Sequence, residues 1–235
     1  MQPSETARRL FSGIASNYDR PAEVLSLFQY SRWHRFMLSK LPPLHEPRVL
    51  DVATGTGAVA FRVAERPDAR IVGADVTRPM LMQAEARAAR DGVLGRLDLL
   101  ECTAEAIPFA DRAFDAVIFT YLLRYVADVP STLSEMTRVL RPGGVMLSLD
   151  FAVPGPVMYP LWRLYTSLVL PLGGAVLSPG WRRVGGFLGG SIRDFYRRWP
   201  ERRLAELWQE CGFPQVAGKR LSLGGALVMW GAKAA

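Results

Sequence analysis

A chain of 235 residues that is 49% hydrophobic and 22% charged can bury one full core, which excludes a disordered or low-complexity protein. Its two cysteines, Cys102 and Cys211, lie far apart without CxxC spacing, which excludes a disulfide framework or a zinc site and leaves both as small buried apolar residues. The net charge of +7 is uneven, because residues 1–150 carry 18 Lys and Arg against 18 Asp and Glu while residues 151–235 carry 11 against 4.

Such a basic last third suits an anionic membrane surface, nucleic acid or an acidic ligand, or is a solvated arginine-rich face. The first nine residues hold no apolar run, so neither signal peptide nor anchor is expected and the reading is cytoplasmic. Residues 4–41 are patterned as a helical leader that Pro42 and Pro43 stop. From residue 48 to 151 short apolar runs alternate with helix-like stretches, the pattern of βαβ units and a parallel sheet. It predicts strands at 48–53, 70–75, 97–102, 116–120 and 145–151, with helices at 58–65, 79–90 and 129–140. Pro79 suits a first helical turn, and Arg141-Pro142-Gly143-Gly144 reads as a stop and turn.

Residues 153–190 are apolar but broken by Pro and Gly, and residues 165–181 carry no charge. This stretch, interrupted by Pro171, Gly173, Gly174 and Pro179, is shorter than the roughly 20 regular apolar residues of a spanning helix, so a lid or membrane-facing surface is expected. A helix at 201–211 and strands at 215–221 and 225–231 close the chain. The expected organisation is one α/β domain with a doubly wound, Rossmann-like sheet. It divides into a helical leader (1–43), a cofactor-binding core (44–151), an inserted helical lid for the substrate (152–200) and a C-terminal helix with strands (201–235).

After the first strand the chain reads Asp51-Val52-Ala53-Thr54-Gly55-Thr56-Gly57-Ala58-Val59-Ala60, a glycine loop that lets the backbone approach a nucleotide at the next helix N-terminus. The spacing Gly55-x-Gly57-x-x-Ala60 also fits a dinucleotide site, but a carboxylate at Asp51 would repel a pyrophosphate. That carboxylate suits the ammonium group of an adenosyl amino acid, S-adenosylmethionine, directly or through water. Asp75, 20 residues beyond Gly55, can accept both ribose hydroxyls of either cofactor. The competing readings are a turn carboxylate for Asp51 and, for Asp75, an acid offsetting the dipole of the following helix. The segment from Thr103 to Asp115 follows the third strand and should reach the adenine edge.

The sequence closely resembles the ubiquinone/menaquinone biosynthesis C-methyltransferase family, a branch of the class I methyltransferases. The resemblance runs through Leu10-Phe11-Ser12-Gly13-Ile14-Ala15-Ser16-Asn17-Tyr18-Asp19, Trp33-His34-Arg35-Phe36, the 51–57 loop and Ala104-Glu105-Ala106-Ile107-Pro108-Phe109. It continues in Leu123-Arg124-Tyr125-Val126, Arg138-Val139-Leu140-Arg141-Pro142-Gly143-Gly144, Ser191-Ile192-Arg193 and Cys211-Gly212-Phe213. It implies a seven-stranded sheet whose last-placed strand is antiparallel. It also implies a site for S-adenosyl-L-methionine lined by Asp51, Ala53, Gly55, Thr56, Gly57, Asp75, Val76, Thr103, Ala104 and Thr120, with no metal. Two positions depart from the family. Thr103 stands where Asp or Asn commonly meets the adenine amino group, and Tyr125 replaces the Asn of Leu-Arg-Asn, reshaping the substrate wall.

The implied reaction is C-methylation of a hydroquinone-type ring, whose phenol must lose a proton to activate the attacked carbon. Arg124 matches the family arginine of that step. A guanidinium stays protonated, so its expected role is to stabilise the phenolate or position a water, against a competing ion pair with Asp128 at i,i+4. His34 is a candidate base, with a surface position as its competing reading. Tyr18 and Asp19 are expected to close over the site or to form a helix end and cap. Met158, Tyr159, Trp162, Tyr165 and Trp181 either wall an apolar pocket or pack the lid. Arginines 182, 183, 193, 197 and 198 suggest a lid touching an anionic membrane.

The alternative activities are O- or N-methylation of another phenolic, secondary-metabolite or phospholipid acceptor, nucleic-acid methylation, and cofactor binding without catalysis. Nucleic acid is disfavoured because the chain has neither an RNA-binding module nor an Asn/Asp-Pro-Pro-Tyr motif. The expected partner is a small lipophilic acceptor, with a homodimer kept open.

Overall fold

Strands buried on both faces must be almost continuously apolar, and the runs at 48–52, 70–75 and 114–120 satisfy that demand. The structure, a computed structural model describing residues 3–235, joins seven strands into one sheet. Met1 and Gln2, the first two of the nine residues on which the signal-peptide expectation rests, lie outside the described residues. The strands are β1 Arg48–Val52, β2 Arg70–Asp75, β3 Leu97–Glu101, β4 Phe114–Thr120, β5 Leu140–Phe151, β6 Val216–Leu221 and β7 Ala226–Ala232. Their order across the sheet is β3-β2-β1-β4-β5-β7-β6. The pairings among β1 to β5 are parallel, and β7 runs antiparallel to both β5 and β6. This is the expected doubly wound sheet, with the last strand of the chain reversed.

The leader forms α1 Pro3–Ser12, α2 Asp19–Leu25 and α3 Tyr30–Leu38. The crossovers contain α4 Ala58–Val63, α5 Arg78–Arg90 and α6 Val129–Val139. The insertion holds α7 Tyr159–Leu164, a π-helical turn Tyr165–Val169, α8 Leu170–Leu177 and α9 Pro179–Arg198, before α10 Glu201–Glu210. One core layer buries Leu133, Met136, Leu207 and Trp208 of α6 and α10 together with Phe213. The opposite layer buries Trp33, Met37, Val59, Phe61 and Ala88 of α3, α4 and α5. A third cluster of Ile14, Ala15, Met80, Trp181 and Val184, backed by Phe11 and Tyr18, joins leader, α5 and lid above the carboxyl ends of the strands.

The leader is helical as expected, and Leu27 and Phe28 adopt left-handed conformations (φ 54° and 60°) that turn the chain between α2 and α3. Two local expectations are corrected. The Arg-Pro-Gly-Gly turn lies inside the span of β5. Leu140 pairs with Phe114, the register shifts, and pairing resumes between Ala116 and Val145. The Gly143 N–H donates to the Lys233 carbonyl and the Lys233 N–H to Gly144, so the turn is tied to the C-terminal segment. Cys102 and Cys211 are half-buried rather than buried.

The lid is helical as expected, and its Pro- and Gly-broken sequence makes almost continuous helix. Proline lies in the first turn of α7 and α9, where its missing N–H breaks no helical bond, and Pro171 comes directly after the π-helical turn. The glycines are contact points between α8 and α9. A Cβ at Gly185 would lie 2.4 Å from the Leu170 carbonyl oxygen, and one at Gly174 equally close to that of Trp181. The Ser178 hydroxyl caps α9 by accepting the Trp181 N–H at 3.2 Å.

Gly185→Ala should therefore force α8 and α9 apart and destabilise the fold by about 1–3 kcal/mol. Thermal melting and limited proteolysis of the lid check this, and a variant as protease-resistant as the parent contradicts it.

Candidate active site

In an open α/β sheet the cleft forms where the strand order reverses, outside the carboxyl ends of the strands. Here that point lies between β1 and β4, beside a cleft of about 860 Å³. The loop after β1 is driven into it by three left-handed residues, Ala53 (φ 59°), Gly55 (φ 56°) and Gly57 (φ 82°). A non-glycine residue pays for that conformation, so Ala53 marks a strained turn held by its surroundings.

Two carboxylates supply the hold. The Asp75 Oδ2 accepts the Gly55 N–H at 2.8 Å and its Oδ1 the Thr77 N–H at 2.7 Å. Asp51 Oδ2 accepts the Thr54 hydroxyl at 2.7 Å, while Oδ1 is buried without a partner. Burial pushes Asp51 up to about 7 against the opposing bond from Thr54, and burial raises Asp75 against the N–H groups of Gly55 and Thr77.

Ala53, Gly55, Thr56, Asp75, Val76, Thr103, Ala104, Thr120 and Tyr18 all line this cleft. Gly57 and Asp51 do not: Gly57 is the turn into α4, where a Cβ would meet the Phe61 ring at 2.6 Å, and Asp51 lies behind Thr54. The Thr103 segment is fixed by Arg138, which donates to the carbonyls of Ile107 and Phe109 and to Glu135 and Asp111. The leader is tied down by the Thr56 hydroxyl, which donates to Asp19 at 2.7 Å.

A second cavity of about 1180 Å³ lies under the lid, walled by Trp162, Tyr165, Leu170, Trp181, Val184, Leu188 and Ile192. Met158 and Tyr159 are not part of its wall. Phe11, Tyr18, Tyr30, Tyr121 and Tyr125 line both cavities, so an aromatic collar stands at their shared boundary. Tyr18 stacks on Trp181 with centroids 5.6 Å apart, and Tyr30 on Tyr121 at 6.2 Å. Burial raises all four tyrosines above their ordinary range, so at neutral pH they are uncharged donors.

Arg124 enters the second cavity with 1% of its side chain exposed. Its Nε donates to Asp150 Oδ1 at 3.1 Å, whereas Asp128 is the N-cap of α6, accepting the Ser131 N–H at 2.8 Å. The i,i+4 pair with Asp128 is thus replaced by a partner from β5, because the 3-10 turn Leu123–Tyr125 ends before α6 begins. Burial works against the charge of Arg124, but Asp150 prevails and holds its pKa above the usual value. Arg124 Nη1 and the Tyr121 hydroxyl are both buried without a partner.

His34 is corrected on both counts. It is 1% exposed rather than on the surface, packs 4.2 Å from the Tyr30 ring, and lines neither cavity. Burial, aided by Arg62, lowers it to about 3, which keeps it neutral. Asp150, Tyr30 and Tyr121 were missed by the sequence reading. The signal for Asp150 was a carboxylate one residue from the end of an apolar strand. Tyr30 and Tyr121 gave none.

The sequence matches the ubiE/COQ5 methyltransferase family over residues 2–233. The chain belongs to this family. It is 37% identical over 227 residues to the ubiquinone/menaquinone biosynthesis C-methyltransferase UbiE of Desulfotalea psychrophila, covering 96% of this chain and 89% of that protein. It is 34% identical to the demethylmenaquinone methyltransferase of Tropheryma whipplei, covering 92% and 87%. A SAM-dependent methyltransferase from Aquifex aeolicus shares the fold at a TM-score of 0.60, with 16% identity and 91% and 98% of the two chains covered. This chain is a methyltransferase, and family and fold imply S-adenosylmethionine as its donor.

Burial makes the ionised form of Asp51 costly, so its folded pKa lies above its unfolded value. Stability of the cofactor-free protein should fall as pH rises from about 4 to about 7 and then level. Asp51→Asn removes that slope, so its stability relative to the parent should climb by about 2–4 kcal/mol across the same window. Parallel stability curves in denaturant titrations at each pH contradict this.

Proposed function

We propose that this chain transfers a methyl group to a ring carbon of a hydroquinone bearing a lipophilic tail. The observation that carries the reading is the unpartnered Arg124 Nη1, buried in a largely apolar cavity that shares the aromatic collar with the cofactor cleft. A buried cation without a full set of acceptors is costly, and a phenolate oxygen supplies the missing one. Two relatives, a ubiquinone/menaquinone biosynthesis C-methyltransferase and a demethylmenaquinone methyltransferase, support a quinone-type acceptor.

The cleft suits S-adenosylmethionine. Gly55 leaves the space where a Cβ would stand open, Asp51 keeps one free oxygen for an ammonium, and each Asp75 oxygen retains a lone pair for a ribose hydroxyl. Val76, Thr103, Ala104 and Thr120 complete the wall, with the Thr103 hydroxyl as an acceptor toward the adenine. When bound, the cofactor supplies a methyl group on a sulfonium whose charge vanishes on transfer.

The protein's own work is orientation, water exclusion and stabilisation of the acceptor anion. Asp150 locks the guanidinium plane by its bond to Nε, leaving Nη1 to face the acceptor. Arg124 then lowers the cost of the phenol giving its proton to water, as an anion-stabilising donor rather than a base, and after transfer the proton of the methylated carbon moves off to restore the aromatic ring and its hydroxyl. The Tyr121 hydroxyl offers a second fixed donor in the same cavity. Tyr125 stands in the collar, stacked on Phe187 and edge-on to Phe11, and so limits what can stand next to the attacked carbon.

Incubation with labelled S-adenosylmethionine and a reduced, short-tailed demethylated quinone should yield a product whose new methyl is carbon-bound by NMR. A product carrying it on oxygen or nitrogen would overturn the reading. Arg124→Ala should lower kcat by about 10²–10³ with cofactor affinity unchanged. Asp150→Asn should lose less and shift the pH–rate profile alkaline, because the guanidinium is less firmly placed. Tyr125→Asn should raise kcat/KM by about tenfold for acceptors with an extra substituent beside the attacked carbon, and steady-state kinetics on a substituted series measure it.

A further inference from the structure

Water-soluble surfaces rarely carry a contiguous block of large apolar side chains. The outer side of the lid does. Val157, Leu161, Leu164, Leu172 and Val176 are 83%, 62%, 55%, 58% and 88% exposed. The turn between α2 and α3 adds Leu27 and Phe28 at 64% and 65%, and the turn before β7 adds Leu223 at 77%. These segments touch. The Tyr165 hydroxyl donates to the Leu25 carbonyl, Leu25 packs over Gly173, and Ser222 bonds to both Trp33 and Gln29.

Two further observations say what covers this face. Leu27, Phe28 and Leu223 all have left-handed backbones (φ 54°, 60° and 57°), so strain is spent on presenting apolar groups to water. Along the lid the charge has one sign, while Glu23 beside the Leu27–Phe28 turn is engaged by the Ser31 N–H and hydroxyl. Residues 151–193 contain four arginines and no acid, and Arg163 is exposed within the apolar face while Arg182 and Arg183 are exposed at the start of α9. A second copy across a two-fold axis would set these cations against themselves, whereas anionic lipid headgroups complement them. Among the described residues no helix is long and apolar enough to cross a membrane.

We propose that this face, formed by the α7–α8 segment with the turns at Leu27–Phe28 and Leu223, seats the enzyme on an anionic bilayer and receives its acceptor there. Leu27, Ser222 and Trp162 line the second cavity, so the face is also its mouth, and a lipophilic tail passes from lipid to Arg124 without crossing water. The seating stands on the surface alone; the delivery of an acceptor rests on the hydroquinone reading.

Flotation with phosphatidylcholine vesicles, with and without phosphatidylglycerol, tests the seating. The full chain should float with phosphatidylglycerol vesicles at low salt and dissociate at high salt. The double variant Phe28→Asp, Val176→Asp, which touches neither cavity wall, should bind them at least about tenfold less, since each lost insertion is worth more than one factor of ten. Its melting temperature and S-adenosylhomocysteine affinity should match the parent. Its turnover should match the parent on a short-tailed acceptor in solution and fall on a long-tailed acceptor in vesicles. No flotation of the parent at low salt, equal flotation of parent and variant, or a concentration-dependent dimer abolished by the variant would overturn the seating. Absence of turnover on the soluble acceptor would strike only at the methyl-transfer reading.

Discussion

The glycine loop depends on hydrogen bonds to Asp75, the last residue of β2, and on the Thr54 bond to Asp51 in β1. Without acceptors at that height, Ala53 and Gly55 have no reason to stay left-handed, and the cleft at the switch point closes or loosens. The arrangement is costly in both currencies a protein has: backbone strain at Ala53 and two carboxylates raised by burial. On the reading proposed above, its return is a loop already shaped for the cofactor, whose ammonium and ribose hydroxyls would meet acceptors that need not be reorganised.

The leader and the lid are the second consequence. Neither contributes a strand; α3 and Phe195 of α9 pack on the sheet layers, and much of what remains is covered where the two segments meet. Ile14, Ala15, Trp181 and Val184 form one cluster, and the Trp181 indole donates to the Asn17 carbonyl at 3.3 Å. The bond from Thr56 to Asp19 links this cap to the glycine loop, and the neighbouring Tyr18 lies in the collar. A change at the loop is therefore felt where the two cavities meet. The π-helical turn at Tyr165–Val169 sits in the lid between α7 and α8, with Tyr165 on the cavity wall, in keeping with the tendency of such turns to mark functional positions.

Much of the sheet was legible because its signals are local. An apolar run bounded by turn residues gives a strand without knowledge of its neighbours, and the spacing from Gly55 to Asp75 placed an acid beside the loop before any pairing was known. What escaped was long-range. Asp128 looked like the partner of Arg124 by helical spacing, yet a 3-10 turn intervenes and β5 brings Asp150 from 26 residues away. The lid glycines looked like breakers because their reason, the backbone of a second helix, is invisible along the chain. His34 looked like a surface histidine because nothing local shows that α3 turns it toward Tyr30 and Tyr121.

The pair of Arg124 and Asp150 cannot be explained by stability. Removing two charges from water into an apolar wall costs several kcal/mol, and apolar residues of similar size would serve the fold as well or better. The pair also falls short of the full satisfaction that would make it a structural device, because Nη1 has no partner while Nε is well placed. A guanidinium half satisfied by its own chain is incomplete until something else enters the cavity. The walls restrict what that can be: aromatic and aliphatic side chains admit a flat ring with an apolar tail, and the open N–H selects an oxygen that gains by carrying negative charge. On the hydroquinone reading, geometry that costs the fold stability is accounted for by the anion formed during turnover.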